Sequence, residues 1–279
     1  MGKTTVVEPI LLAYMFCFYI SQPLRTQLYY AKSCIQHFNE TYCDELIKTK
    51  NKTDKHDLDF LQKDTSQWAI YDSLARIAPS LVAMLLFTAY FDKVGRKTVM
   101  ILPIIGGTLS SICLLVNSYF MYWPIEIVLT SSFVEGIFGQ YVAIFASIIA
   151  YVADITSIEM RTKRTVIVES MTSLGAVVAY PVGGLMLQQY GFLPTFLLQF
   201  SMCLFQLVYW MLLKESYPPQ INKETPNTSA AVENLPNGGY KDLLVKVFQV
   251  PFKKRENNKR KTLFLLFACL ACFILSRFS

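Results

Sequence analysis

Phe91-Asp92-Lys93-Val94-Gly95-Arg96-Lys97 packs its charge into a short stretch between two apolar runs, Trp68 to Phe91 and Thr98 to Val116. Each run is close to the roughly 20 residues that a helix needs to cross a hydrocarbon core. A connection this short makes the two runs a helical hairpin, and the rest of the chain can be placed around it.

Outward from the hairpin, further apolar runs cover Val6 to Tyr30, Ile125 to Val152, Thr165 to Leu187 and Phe192 to Leu213. The 279 residues are 53% hydrophobic and only 16% charged, with a mean hydropathy of +0.35. An average soluble protein carries roughly 25% charged residues, so this composition belongs to a lipid bilayer. The runs lack strand alternation, and the expected class is an all-α membrane protein with six spanning helices. The net charge of +6 lies in the segments between runs, without zinc-finger or helix-turn-helix spacing, which excludes nucleic acid as a partner. His37 and His56 stand 19 residues apart among Lys and Asp, so no metal or cofactor is expected. Paired catalytic carboxylates and a serine elbow are also lacking, and the chain does not read as an enzyme.

The connections alternate in charge, and that sets orientation. Lys3, then Lys93, Arg96 and Lys97, then Arg161, Lys163 and Arg164, then Lys214 fall on one side. The other side has no Lys or Arg in its two short loops; its long loop, Ala31 to Gln67, dilutes lysines with acids. Positive-inside places both ends of the six-helix unit in the cytoplasm. The long loop also holds glycosylation sequons at Asn39 and Asn51, which agrees. Cys34 and Cys43 in that loop could bond to each other in an oxidising compartment or each bond elsewhere. Residues 1–213 form the expected transmembrane domain and 214–262 a cytoplasmic linker, in which the Asn227 sequon stays unmodified. Residues 263–279 start a seventh span that Arg277 and Ser279 cut short, so the sequence is expected to be truncated.

Six helices, a linker and a seventh start resemble the first half of a twelve-helix major facilitator transporter. Asp92-Lys93-x-Gly95-Arg96-Lys97 looks like the signature loop of that superfamily between helices two and three, with Thr88 where its opening glycine is usual. Further stretches are similar to the proton-coupled folate transporter and thymic stromal cotransporter group of solute carriers. They are Glu8-Pro9 with Gln22-Pro23-Leu24 and Gln27-Tyr29-Tyr30, and Tyr151 to Thr156 with Arg161-Thr162-x-Arg164 and Glu169. The resemblance implies proton-coupled symport of an organic anion, folate-like or related. It also implies a binding site between two six-helix halves, a bilayer of the plasma membrane or an endolysosome, and a C-terminal half missing here. A truncated form that modulates a full-length transporter is the alternative.

Charge inside spans is costly and marks functional candidates. Glu169 shares a face with Thr172, Ser173, Ala176 and Tyr180, a small polar stripe suited to a cavity wall. The resemblance assigns proton coupling to it; a packing carboxylate is the other reading. Glu135, about eleven residues into its helix, lies near mid-bilayer and is the second proton candidate. Arg25, on one face with Gln22 and Tyr29, either holds an anionic substrate or snorkels outward; Gln22 and Tyr180 complete the substrate candidates. Asp72 and Arg76, four residues apart, are placed to pair. Asp154, Arg161 and Arg164 gather at the cytoplasmic end, where an Arg96 to Asp154 contact is expected to form part of the gate.

Overall fold

The computed structural model describes residues 7–38, Cys43, 55–94 and 96–213. Among these residues all regular structure is helical: α1 (Glu8–His37), α2 (Lys55–Val94), α3 (Arg96–Tyr119), α4 (Val128–Ile137), α5 (Gln140–Ile155), α6 (Ile158–Tyr190) and α7 (Phe192–Leu212), with a 3₁₀ turn at Ile125–Ile127. Among the described residues four segments are long and apolar enough to cross a membrane: Val99–Tyr119, Ile125–Ile155, Glu159–Tyr190 and Phe192–Leu212. The linker, the start of a seventh helix and the sequons at Asn39, Asn51 and Asn227 lie outside the described residues.

The fourth apolar run is one span in sequence but two helices in structure. Gly139 takes a left-handed φ of 83° and Gln140 one of 53°, which separates α4 from α5. Glycine carries that φ without a Cβ clash. Just before it, Gly136 lets α4 meet α2 almost backbone to backbone: a Cβ there would stand 2.5 Å from the Arg76 carbonyl oxygen and 2.6 Å from Pro79 Cγ. Pro79 lies inside α2 and has no N–H to give the Ala75 carbonyl, so this junction is irregular on both helices. Pro23, Pro103 and Pro181 interrupt α1, α3 and α6 in the same way.

The connection between α1 and α2 is shorter than the polar composition of Ala31 to Gln67 suggests. Helix α1 continues to His37 and α2 begins at Lys55, both built from residues that read as loop. Cys34, in the last turn of α1, is joined to Cys43 by a disulfide, packed on Leu61 with Tyr30 and Phe38. At the other end, α5 ends at Ile155 and α6 starts at Ile158, so Arg161 and Arg164 belong to the first turns of α6.

Two apolar clusters hold the helices. One gathers Ile10, Tyr14, Ile104, Ile148, Tyr151 and Val168; the other gathers Leu24, Leu28, Leu114, Val128, Ala179 and Phe196. Coverage is uneven. Only 22% of the apolar window of α6 is inside, against 50% for α3, so α6 keeps a broad uncovered face that includes Leu174, Val177 and Leu185.

Candidate functional site

Four ionisable side chains meet in the interior, brought there by three helices. Arg25 of α1, Asp72 and Arg76 of α2, and Glu135 of α4 are each at most 6% exposed. Arg25 Nη2 donates to Glu135 Oε2 at 2.6 Å and to Ser110 Oγ at 2.8 Å; Nη1 donates to Ser131 Oγ at 3.2 Å and to Ser132 Oγ. Asp72 accepts from Arg76 Nη2 and from the Tyr29 hydroxyl, both at 2.9 Å, and from Ser132 Oγ. Arg25 Nη1 stands 3.8 Å from Asp72 Oδ1, which joins the two pairs into one cluster.

The chemistry of this arrangement follows from its charge. Two guanidinium groups and two carboxylates cancel, and only such balance makes ions tolerable away from water. Serine hydroxyls supply the remaining partners without adding charge. A proton placed on either carboxylate therefore leaves one positive charge uncompensated, which an incoming anion would balance. Arg25 Nε and Arg76 Nη1 have no hydrogen-bond partner, so the cluster still has donors to offer.

Beside Arg25 and Glu135 lies a small cavity with room for about one water. The α1 residues Tyr14, Cys17, Phe18, Ser21 and Arg25 line it at intervals of three and four, the repeat of a single helix face. Gln199, Cys203 and Gln206 of α7 line the opposite wall on the same kind of stripe, and Gly107 and Ser110 of α3 complete it. The Tyr14 hydroxyl and Gln199 Oε1 are buried without a partner. The two α7 glutamines form a polar stripe in an otherwise apolar helix; that stripe was the available sequence signal for them.

The sequence candidates thus separate into two places. Arg25 and Glu135 belong to the interior cluster, and Asp72 and Arg76 pair within it. Glu169 and Tyr180 belong to the uncovered face of α6, where Tyr180 is 49% exposed and its ring packs 5.8 Å from that of Tyr19. Gln22 is half-buried and does not line the cavity.

Of the residues expected at the gate, the side chains of Asp92 and Arg96, and Gly95 altogether, lie outside the described residues, and so does the expected Arg96 to Asp154 contact. The end of the signature loop is described. Lys97 Nζ donates to the Leu213 carbonyl and sits 4.8 Å over the Trp210 ring, while Trp210 Nε1 donates to the Lys97 carbonyl at 2.9 Å. The loop is thereby fastened to the last turn of α7. Arg164 pairs with Glu8 at 3.3 Å and Arg161 donates to the Ala153 carbonyl at 2.9 Å, joining the start of α6 to α1 and to the end of α5.

Near the C-terminal end of α1, Lys32 is buried and donates to the Phe120 and Trp123 carbonyls, each at 3.1 Å. Loss of water lowers its ammonium group to about 8.

A profile of the Major Facilitator Superfamily matches residues 65–279. The lysosomal proton-coupled steroid conjugate and bile acid symporter of Gallus gallus is 27% identical over 70% of this chain and 43% of its own length. Its Homo sapiens counterpart is 23% identical over 95% of this chain and 57% of its own length. The proton-coupled folate transporter of Bos taurus is 23% identical over 73% of this chain and 44% of its own length. The chain spans about half the length of the curated relatives it matches.

Proposed function

Because the chain belongs to the Major Facilitator Superfamily, a family of multi-pass membrane transporters and not of enzymes, we propose that residues 7–213 form the N-terminal half of a proton-coupled symporter for an organic anion. In this reading α1, α2, α3, the α4 and α5 pair, α6 and α7 are its six spans, with the N-terminus cytoplasmic as the Lys and Arg distribution requires. A second half faces the uncovered side of α6, and the solute passes between them. Glu169 and Tyr180 then line the solute path. Arg25 and Glu135 lie behind it, inside the half.

One observation carries the proton step: in the buried cluster two arginines, Arg25 and Arg76, are ion-paired with two carboxylates, Glu135 and Asp72, so its charges balance. Protonation of Glu135 frees Arg25 from its strongest partner and leaves the cluster one charge positive. An anion bound nearby restores neutrality, so proton and anion favour one another by simple charge balance. Glu169 is the second proton carrier, on the solute side. Relatives named for steroid conjugate, bile acid and folate transport support an anionic, largely apolar solute.

The test is uptake of a labelled steroid sulfate, a bile acid and a folate by cells expressing the gene, in acidic and neutral medium. Acid-stimulated uptake of at least one is expected, and Glu169→Gln should reduce it most in acidic medium. Uptake whose pH dependence is the same in Glu169→Gln would remove Glu169 from the proton step.

A further inference from the structure

Tyrosine in a membrane protein favours the headgroup level, because its hydroxyl needs a polar partner that hydrocarbon does not supply. Tyr19 nevertheless stands near the middle of the apolar run Val6 to Tyr30, and Tyr141 at the middle of the span Ile125–Ile155. The bundle does not cover them. Tyr141 is 41% exposed, Tyr19 is half-buried, and Tyr180 of α6 is 49% exposed. Phenols uncovered at mid-depth mark a path for something more polar than lipid.

Their rings converge from three helices. The Phe18 centroid lies 4.8 Å from that of Tyr141 and 5.4 Å from that of Tyr19, and the Tyr19 ring lies 5.8 Å from that of Tyr180. Tyr141 follows directly on the break at Gly139 and Gln140, so the residue that restarts the helix is the one that meets Phe18. The ring planes are tilted by 43°, 73° and 56° in these three contacts. A flat ring stacks between parallel faces, and none of the three pairs is parallel. Tilted faces and edges make a corrugated cup, which suits the projecting C–H bonds of a fused alicyclic skeleton. Phe18 also lines the interior cavity beside Arg25 and Glu135, where only about one water fits, so a ring system stays on the outer side of Phe18. Tyr180 continues the cup toward Glu169, about three turns earlier on the same face of α6.

We propose that Phe18, Tyr19, Tyr141 and Tyr180 form the ring subsite of the solute path, and that this subsite takes a fused alicyclic skeleton in preference to a flat heteroaromatic ring. The inference rests on the transport reading, which puts the solute on the uncovered side of α6 with Tyr180 beside it. The four rings hold the skeleton by dispersion and by exclusion of water, and the phenolic hydroxyls serve its polar substituents. Tyr141 and Tyr180 are the positions to vary, because both are exposed and neither belongs to the two apolar clusters that hold the helices.

The experiment uses the full 279-residue chain, purified in detergent, and androsterone sulfate with a diazirine in place of its ketone. After illumination the label is mapped on peptides, with unmodified androsterone sulfate or folic acid as competitor. The expected result is label on the peptides that hold Tyr141 and Tyr180, displaced by androsterone sulfate at about one tenth of the folic acid concentration needed. Tyr141→Leu and Tyr180→Leu should each weaken that displacement about tenfold, whereas Tyr141→Phe and Tyr180→Phe, which keep the ring, should stay within about threefold of the parent. Label confined to other segments, label that no competitor displaces, equal displacement by folic acid, or Tyr141→Leu and Tyr180→Leu binding like the parent would each overturn the proposal. Labelling needs no proton gradient, so the two claims separate. Acid-stimulated uptake by cells, with the label mapping elsewhere, overturns the ring subsite alone; displaceable label in the cup of a chain that gives cells no uptake supports the subsite and counts against the transport reading alone.

Discussion

Glu135→Gln separates the electrostatics of the interior cluster from its packing, since the side chain keeps its length and one carbonyl oxygen. Arg25 Nη2 lies 2.6 Å from Glu135 Oε2, and the two side chains are 2% and 6% exposed. Removing one member of such a buried pair costs about 3–5 kcal/mol, because the survivor stays charged without compensation. The amide still accepts from Arg25, at roughly half the strength of a charge-assisted bond, so the expected loss is about 2–3 kcal/mol. Arg25→Met leaves Glu135 bare and should cost about 4 kcal/mol. The double variant retains only the neutral Asp72 and Arg76 pair, and should be no less stable than Arg25→Met alone. That is a coupling energy of about 2 kcal/mol or more between sites 110 residues apart in sequence. Equilibrium unfolding in mixed micelles, titrated with a denaturing detergent, reads all three variants against the parent. Additivity of the two single losses to within about 0.5 kcal/mol would refute the argument, since that is how independent sites behave.

Other expected outcomes use the same protein. Gly136→Ala should lower stability by about 1–3 kcal/mol by forcing a methyl into the Arg76 carbonyl, whereas Gly184→Ala, where a Cβ meets nothing within 4 Å, should be neutral or stabilising; equal melting of the two variants argues against close α2 and α4 packing. Lys32 holds its proton less tightly when folded than the ordinary 10.5, so between about 8 and 10.5 the unfolded chain keeps a proton that the folded chain has released. Stability should therefore rise with pH across that window and fall as pH drops through 8, and Lys32→Met should flatten the slope measured by thermal unfolding. Glu8→Gln should weaken the tie between α1 and α6 by about 1 kcal/mol or less, because the pair is only partly buried; a larger loss in the same assay would mark the pair as a main support of that end. Glycosidase treatment should shift gel mobility through Asn39 or Asn51 and leave an Asn39→Gln/Asn51→Gln variant unchanged.

The helices were legible where one helix held the whole signal. Asp72 and Arg76 are four residues apart, so their pairing follows from helical repeat alone. The turn between α6 and α7 falls at Gly191, as the break in apolar residues requires. What joins distant segments was not legible. Arg25 can read as a substrate anchor or a snorkelling cation, and nothing near it in sequence points to Glu135 on α4 or Ser110 on α3. The division of Glu169 from Glu135 was hidden for the same reason, because face periodicity shows which residues align but not which side another helix covers. Local backbone also escaped. Gly139 sits in a run as apolar as its neighbours, and only the φ of 83° shows that the helix breaks there.

The central claim is that a proton gradient drives solute through a path bordered by α6 and controlled by the interior charge cluster. Collapse of that gradient tests it most directly. Labelled solute uptake is followed in acidic medium by cells expressing the gene, before and after a protonophore, with Glu135→Gln in parallel. The account predicts that the protonophore brings uptake down to the level of cells without the gene, and that Glu135→Gln starts near that level. Uptake that continues unchanged after the gradient is gone would contradict it.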